Sequence, residues 1–319
     1  MGGIMEYVLL IFSLLTIIKA SDVLVDASVS IAERMKMPKI LIALTIMAFS
    51  TCAPELAISF TSIAAKNGTI AFANVVGSCI VNILLVIGLA AVINPIKVKD
   101  TTIKKELPLL MLITLAFATT LLEGITSPGA TNIFSRSRGV LFISLFSLFV
   151  IYIVQLVRRR QKTDEEITSK YTMKRAITYF ILSIAAIIVS SDLLVDNAIT
   201  IAGKIGVSQK LITMVIIVIG TSLPELVMTA MAARKNEHEM AIGNIIGTNI
   251  FNICIVLGLP ISLLGDVAIV GFNVIDIFFV AIAAVSLFFF ANNGRKVSRR
   301  EGIIMLGTFI TYYTYLILS

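Results

Sequence analysis

A chain of 319 residues that is 58% hydrophobic and only 14% charged, with a mean hydropathy of +1.00, is excluded from the soluble globular class. Soluble domains carry about 25% charged residues, so the composition specifies a polytopic membrane protein. The formal net charge of +7 would suggest a nucleic-acid partner if the basic residues were clustered for one, and their placement gives a different cause.

Apolar segments of spanning length fall at 5–32, 39–65, 69–95, 103–122, 137–157, 173–203, 209–233, 240–264, 268–291 and 301–318, which predicts about ten helices. The first opens Met1-Gly2-Gly3-Ile4-Met5-Glu6 without a basic leader, and no small-residue cleavage site follows Lys19, so it reads as a retained helix. Glu6 stands where a myristoylation signal needs Ser or Thr. Turn residues punctuate the junctions at Lys36-Met37-Pro38, Lys66-Asn67-Gly68, Ser127-Pro128-Gly129 and Asn292-Asn293-Gly294. The longest polar stretch is the central loop from Arg158 to Arg175, too short for a regulatory domain. The expected division is a first five-helix half (1–157), a cytoplasmic linker (158–172) and a second five-helix half (173–319).

With the N-terminus outside, the cytoplasmic loops collect twenty Lys and Arg. Only Lys66, Arg136, Arg138, Lys204 and Lys210 are left outside, and Lys19 lies within the first helix. Positive charge concentrates on the cytoplasmic side of membrane proteins, so the net charge is topology and the nucleic-acid reading falls away. Both termini are expected outside a cell membrane. Cys52, Cys79 and Cys254 all fall in apolar segments, which argues against a disulfide framework and a thiolate metal site.

The second segment carries Ser50-Thr51-Cys52-Ala53-Pro54-Glu55, and the seventh carries Gly220-Thr221-Ser222-Leu223-Pro224-Glu225. In each, a Pro breaks the helix and a carboxylate stands where burial in lipid costs about 2.5–3.5 kcal/mol, which makes it a functional-site candidate. The offset between Glu55 and Glu225 also maps Ser21-Asp22 onto Ser191-Asp192 and Asp26 onto Asp196. It further maps Asn74, Gly77, Asn82, Gly88 and Glu106 onto Asn244, Gly247, Asn252, Gly258 and Asp276. Roughly a third of positions between 21 and 90 match their partners, which marks an internal repeat. Five helices per half is an odd number, so the halves are inverted, an arrangement that places substrate at their mid-membrane interface.

Two carboxylates at equivalent depth bring two negative charges and hard oxygens, which suits Ca²⁺ with its roughly 6–8 oxygen ligands better than octahedral Mg²⁺. Gly77-Ser78-Cys79-Ile80-Val81-Asn82 and Gly247-Thr248-Asn249-Ile250-Phe251-Asn252 form the second motif pair. Ser78 and Asn82, like Thr248 and Asn252, share one helical face; they either glue helices together or line the site. Asp22 and Asp26 read as structural or entrance groups, Asp22 within one turn of Lys19. His238, the lone histidine, reads as a solvated loop residue.

On these motifs the chain resembles the calcium/cation antiporter superfamily, and within it the short prokaryotic and archaeal sodium/calcium exchangers. The resemblance runs from Ser21 through Gly258 and beyond. It implies a ten-helix antiporter, not an enzyme, that exchanges extracellular Na⁺ for cytoplasmic Ca²⁺ without a cofactor. Glu55 and Glu225 would be the shared Ca²⁺ and Na⁺ carboxylates. Thr51, Thr221, Ser222, Ser78 and Thr248 would add oxygens at flanking Na⁺ sites, completed by backbone carbonyls near Ala48 and Val218. Three departures from the family pattern stand out. Cys52 replaces a Ser and puts a soft sulfur where a hydroxyl is usual. Thr248 replaces a Ser, and Asn252 stands where potassium-dependent exchangers carry Asp, which speaks against K⁺ co-transport. The expected partners are Ca²⁺, Na⁺ and the lipid bilayer, with the chain functional as a monomer. A proton/calcium antiporter is the alternative.

Overall fold

Helices account for nearly all of the computed structural model, which describes residues 2–66, 68–126, 133–158, 169–204, 218–269 and 273–318. In the first half α1 (Gly2–Arg34) is followed by α2 (Lys39–Thr51), α3 (Ala53–Ala64) and α4 (Gly68–Ile93). Then come α5, a π-turn at Thr102–Glu106 running into Leu107–Thr126, and α6 (Arg136–Arg158). The second half repeats the series as α7 (Met173–Lys204), α8 (Val218–Thr221), α9 (Leu223–Arg234), α10 (His238–Leu264), α11 (Val274–Asn292) and α12 (Arg299–Leu318).

Among the described residues eight helices are long and apolar enough to cross a membrane, and α2 with α3 makes a ninth span bent by 47°. The expected segment 209–233 is described only from Val218, where α8 and α9 reproduce the break. Counting that segment, five spans precede the linker and five follow it, so the second half starts from the opposite face. The junction Ser127-Pro128-Gly129 and the linker over 159–168 lie outside the described residues. His238 differs from expectation: it opens α10.

The two breaks have one cause. Cys52 (ψ 0°) and Ser222 (ψ 6°) leave the helical ψ of about −42° at matching places. Pro54 and Pro224 follow within the first two positions of α3 and α9, where a missing N–H is harmless. The left-handed residue that closes α3, Lys66 (φ 60°), recurs after α9 as Asn236 (φ 60°).

Small residues lock the halves together. A Cβ on Gly88 would meet the Gly302 carbonyl at 3.1 Å, and one on Gly258 would meet the Gly139 carbonyl at 3.3 Å. The outer helix of each half thus packs on the third helix of the other. Short antiparallel clasps repeat the theme. β1 (Ile96–Lys97) pairs with β4 (Lys296–Val297), and β2 (Ile133–Phe134) pairs with β3 (Val267–Ala268).

Apolar side chains gather in two clusters. The larger fills the bundle of α2 to α6 and α8 to α12, with Phe72 stacked on Phe117 and Phe134 on Phe142, and the two pairs meeting edge to face. A smaller one, including Leu24, Ala27, Ala43, Met47, Phe180, Met228 and Ala232, lies where the antiparallel pair α1 and α7 rests on that bundle.

Candidate cation site

Each broken helix delivers its acid in the first turn after the break. Glu55 opens α3 and Glu225 opens α9, and they are 1% and 0% exposed. A helix N-terminus carries a partial positive charge that favours a carboxylate there. The break therefore does two things: it bends the span, and it turns a helix start toward the middle of the protein.

Glycines bring the halves into register around these acids. A Cβ on Gly77 of α4 would lie 2.6 Å from a Val218 methyl, and one on Gly247 of α10 would lie 2.7 Å from the Leu44 carbonyl and 2.8 Å from the Ala48 Cβ. Ala48 and Val218 are equivalent positions, so each half's glycine seats the other half's broken helix. Ser78 and Thr248 follow these glycines directly, and Asn82 and Asn252 lie one turn on. At those asparagines both helices widen into π-turns, Val81–Ile87 and Asn252–Leu257. Such turns loosen the backbone ladder and recur at functional sites.

Across the interface the Thr221 hydroxyl stands beside the Glu55 carboxyl, the Thr51 hydroxyl stands beside that of Glu225, and the two carboxyls feel each other's charge. The Thr51 hydroxyl donates to the Met47 and Ala48 carbonyls at 3.3 and 3.2 Å, and that of Thr221 donates to the Val218 carbonyl at 3.2 Å. Both keep their oxygen lone pairs free to accept. The candidate residues also carry buried polar atoms that find no hydrogen-bond partner within the protein. They are Glu55 Oε2, both Glu225 oxygens, the Ser78, Ser222 and Thr248 hydroxyls, and both amide atoms of Asn82 and Asn252. One buried orphan costs about 1–3 kcal/mol, and a native interior holds few. Of these ten atoms eight are oxygens, three of them carboxylate oxygens, the donor type that suits a hard cation. Among the described residues no three His, Cys, Asp or Glu side chains cluster, so no thiolate or imidazole centre competes with it.

Thus Thr221 lies beside Glu55 and Thr51 beside Glu225. The helices α3 and α9, which carry the acids, each pack on both α4 and α10, which carry Ser78, Asn82, Thr248 and Asn252. The Ser222 hydroxyl is buried and unpartnered. Cys52 does not mirror Ser222. Its thiol donates across the interface to the Thr248 carbonyl at 3.7 Å. The Ala48 and Val218 carbonyls are at the breaks, but each already accepts in-helix bonds, from Cys52 and Ser222 N–H at 3.1 and 3.3 Å as well as from the threonines. Asp22 does not pair with Lys19; its carboxylate meets Lys235 at 2.9 Å instead. Two supporting residues were not assigned a role in the sequence. Asn74 donates to the Glu55 carbonyl at 3.2 Å and reaches Ser59 at 3.5 Å, and Asn244 reaches Thr229 at 3.4 Å. They brace α3 and α9 alike, and the signal for them was their place in the repeat.

The sodium/calcium exchanger protein family matches residues 5–155 and 175–318. The inner membrane protein YrbG of Escherichia coli is 34% identical over 79% of this chain and 78% of its own. The sodium/calcium exchanger MaX1 of Methanosarcina acetivorans is 26% identical over 98% of both. A solved structure of the sodium-calcium exchanger NCX_Mj, soaked with 10 mM Na⁺ and zero Ca²⁺, superposes with a TM-score of 0.82 at 29% identity, covering 98% of this chain and 99% of that one.

Proposed function

The chain belongs to the sodium/calcium exchanger family, and from that premise we propose that it exchanges three Na⁺ for one Ca²⁺ by alternating access, independently of K⁺. The observation that carries this reading is the pair Glu55 and Glu225, buried at the starts of two broken helices, on elements packed against those that carry buried, unpartnered oxygens. In this reading both carboxylates bind Ca²⁺ or Na⁺ in turn. Thr51, Thr221, Ser222, Ser78, Thr248, Asn82 and Asn252 supply neutral oxygens, and the Ala48 and Val218 carbonyls add backbone ones when the Thr51 and Thr221 hydroxyls release them. Hydroxyl and amide oxygens add ligands without adding charge, which leaves the site at −2. One Ca²⁺ then makes it neutral and three Na⁺ make it +1. Residues 1–157 and 173–319 act as the two halves, joined by a cytoplasmic linker at 158–172. The chain works as a monomer in the cell membrane, with both termini outside.

The test is Ca²⁺ uptake into proteoliposomes with a Na⁺, K⁺ or pH step as the sole gradient. Uptake is expected with Na⁺ alone, lost by at least a hundredfold in Glu225→Gln, which halves the site's charge. Uptake driven by a pH step and indifferent to Na⁺ would replace this reading with proton/calcium antiport. One observation favours that second reading: the Cys52 thiol, bonded to the Thr248 carbonyl, offers no hard oxygen on its side of the site.

A further inference from the structure

Outside the cation site, one end of α1 carries a cluster of ion pairs to the bundle and to the chain just before α7. Asp26 receives two lysines: Lys235, just past α9, at 2.5 Å on one oxygen, and Lys170, just before α7, at 2.6 Å on the other. Lys235 also reaches the Asp22 carboxylate at 2.9 Å and donates to the Asp22 carbonyl at 2.8 Å. One turn on, the Ser30 hydroxyl accepts from the Tyr171 N–H at 3.3 Å, and Arg34 donates to the Tyr171 carbonyl at 2.5 Å. The Asp26 carboxylate also holds the pKa of the Lys170 ammonium above its ordinary value. In the other half Asp196 is exposed, and the position equivalent to Lys235 is Ala65. A purely structural need of the fold would apply to both halves.

The packing gives this asymmetry a meaning. The α1–α7 pair rests on the bundle along a seam formed by the smaller apolar cluster, in which Leu24, Ala27 and Phe180 of the pair meet Ile42, Met47 and Met228 of the bundle. Alternating access requires one rigid part to move against another, and the seam separates two such parts. Lys235 belongs to the bundle, while Asp22 and Asp26 belong to the pair.

We propose that Lys235 is a positioning residue for exchange: through Asp22 and Asp26 it latches the basic-face end of α1 to the bundle and biases the protein toward the state closed on that face. Lys170 reinforces the latch, and among the described residues no equivalent latch ties the opposite end to the bundle. This inference rests on the exchange reading for its transport consequences but not for its structural one.

Lys235→Met tests it in the full chain. Amide hydrogen exchange over residues 22–34 is expected to rise. In vesicles of each orientation, the KM for Ca²⁺ is expected to fall about fivefold at the basic face and to rise at the other, because a bias between two states moves the two faces in opposite directions. Lys170→Met, at an exposed position, should give the same signs at smaller size, and Lys235→Asp combined with Asp26→Lys should restore part of the wild-type bias. Unchanged exchange over 22–34, or KM values that move together at both faces, would overturn the latch. A wild-type protein that moves no Ca²⁺ would sink the exchange reading alone, since amide exchange still decides whether Lys235 holds α1.

Discussion

At the break between α2 and α3 the Cys52 thiol is committed to the Thr248 carbonyl at 3.7 Å, while Ser222, in the equivalent place, leaves its hydroxyl buried and unpartnered. Sulfur's longer reach makes that cross-interface bond possible, and sulfur is a weak ligand for Na⁺. A serine at 52 would put a hard oxygen nearer to its own backbone and free it for the site. Cys52→Ser is therefore expected to lower the half-saturating Na⁺ concentration by about threefold while leaving the Ca²⁺ KM within about twofold. An unchanged Na⁺ dependence would mean that residue 52 contributes no ligand in either form. Much of this site was legible as residues: the two Pro-Glu steps, the two Gly-Ser/Thr-x-x-x-Asn steps and the departure at Cys52 all stand in the sequence. The partner of the thiol was not. It lies almost 200 residues away, and nothing local distinguishes a sulfur aimed at the site from one aimed at a neighbouring helix.

Helix packing sets which substitutions the elements tolerate. Gly77 and Gly247 are repeat partners, but what they touch differs in stiffness. A methyl on Gly77 would strike the Val218 side chain at 2.6 Å, whereas one on Gly247 would strike the Leu44 carbonyl at 2.7 Å and the Ala48 Cβ at 2.8 Å. A side chain can shift by rotation, but backbone cannot without moving all of α2. Overpacking of this kind costs about 1–3 kcal/mol. Gly247→Ala is expected to lower the Tm and slow Ca²⁺ exchange more than tenfold, and Gly77→Ala to do so by a smaller factor; equal effects would show that backbone approach is not what the glycine serves. The sequence indicated these glycines through the repeat but gave no hint of the π-turns at Asn82 and Asn252. Those depend on which carbonyls a whole helix leaves unbonded when its neighbours press on it. The repeat offset itself slips in the last element. Gly139 and Gly302 play equivalent roles while lying seven positions off the spacing that holds from Asp22 to Asp276.

For the molecule as a whole, the number of charges in the site fixes how transport answers to voltage. Glu55 and Glu225 are the only carboxylates among the site's residues, and Asn252 contributes none. A cycle that carries three Na⁺ one way and one Ca²⁺ the other moves one net charge. One elementary charge across 100 mV is worth about 2.3 kcal/mol, and about 1.36 kcal/mol is a factor of ten. A 100 mV potential, negative inside, should therefore shift the equilibrium Ca²⁺ ratio by about fiftyfold toward export at equal Na⁺ on both sides. The measurement is Ca²⁺ distribution in proteoliposomes clamped by a K⁺ diffusion potential. A ratio that follows the potential with this slope supports three Na⁺ per Ca²⁺. A flat response means two, and it would trace the missing ion to the side of the site where the Cys52 thiol donates to Thr248 and offers no oxygen. Cys52→Ser should then restore the slope, tying stoichiometry to that one atom of the chain.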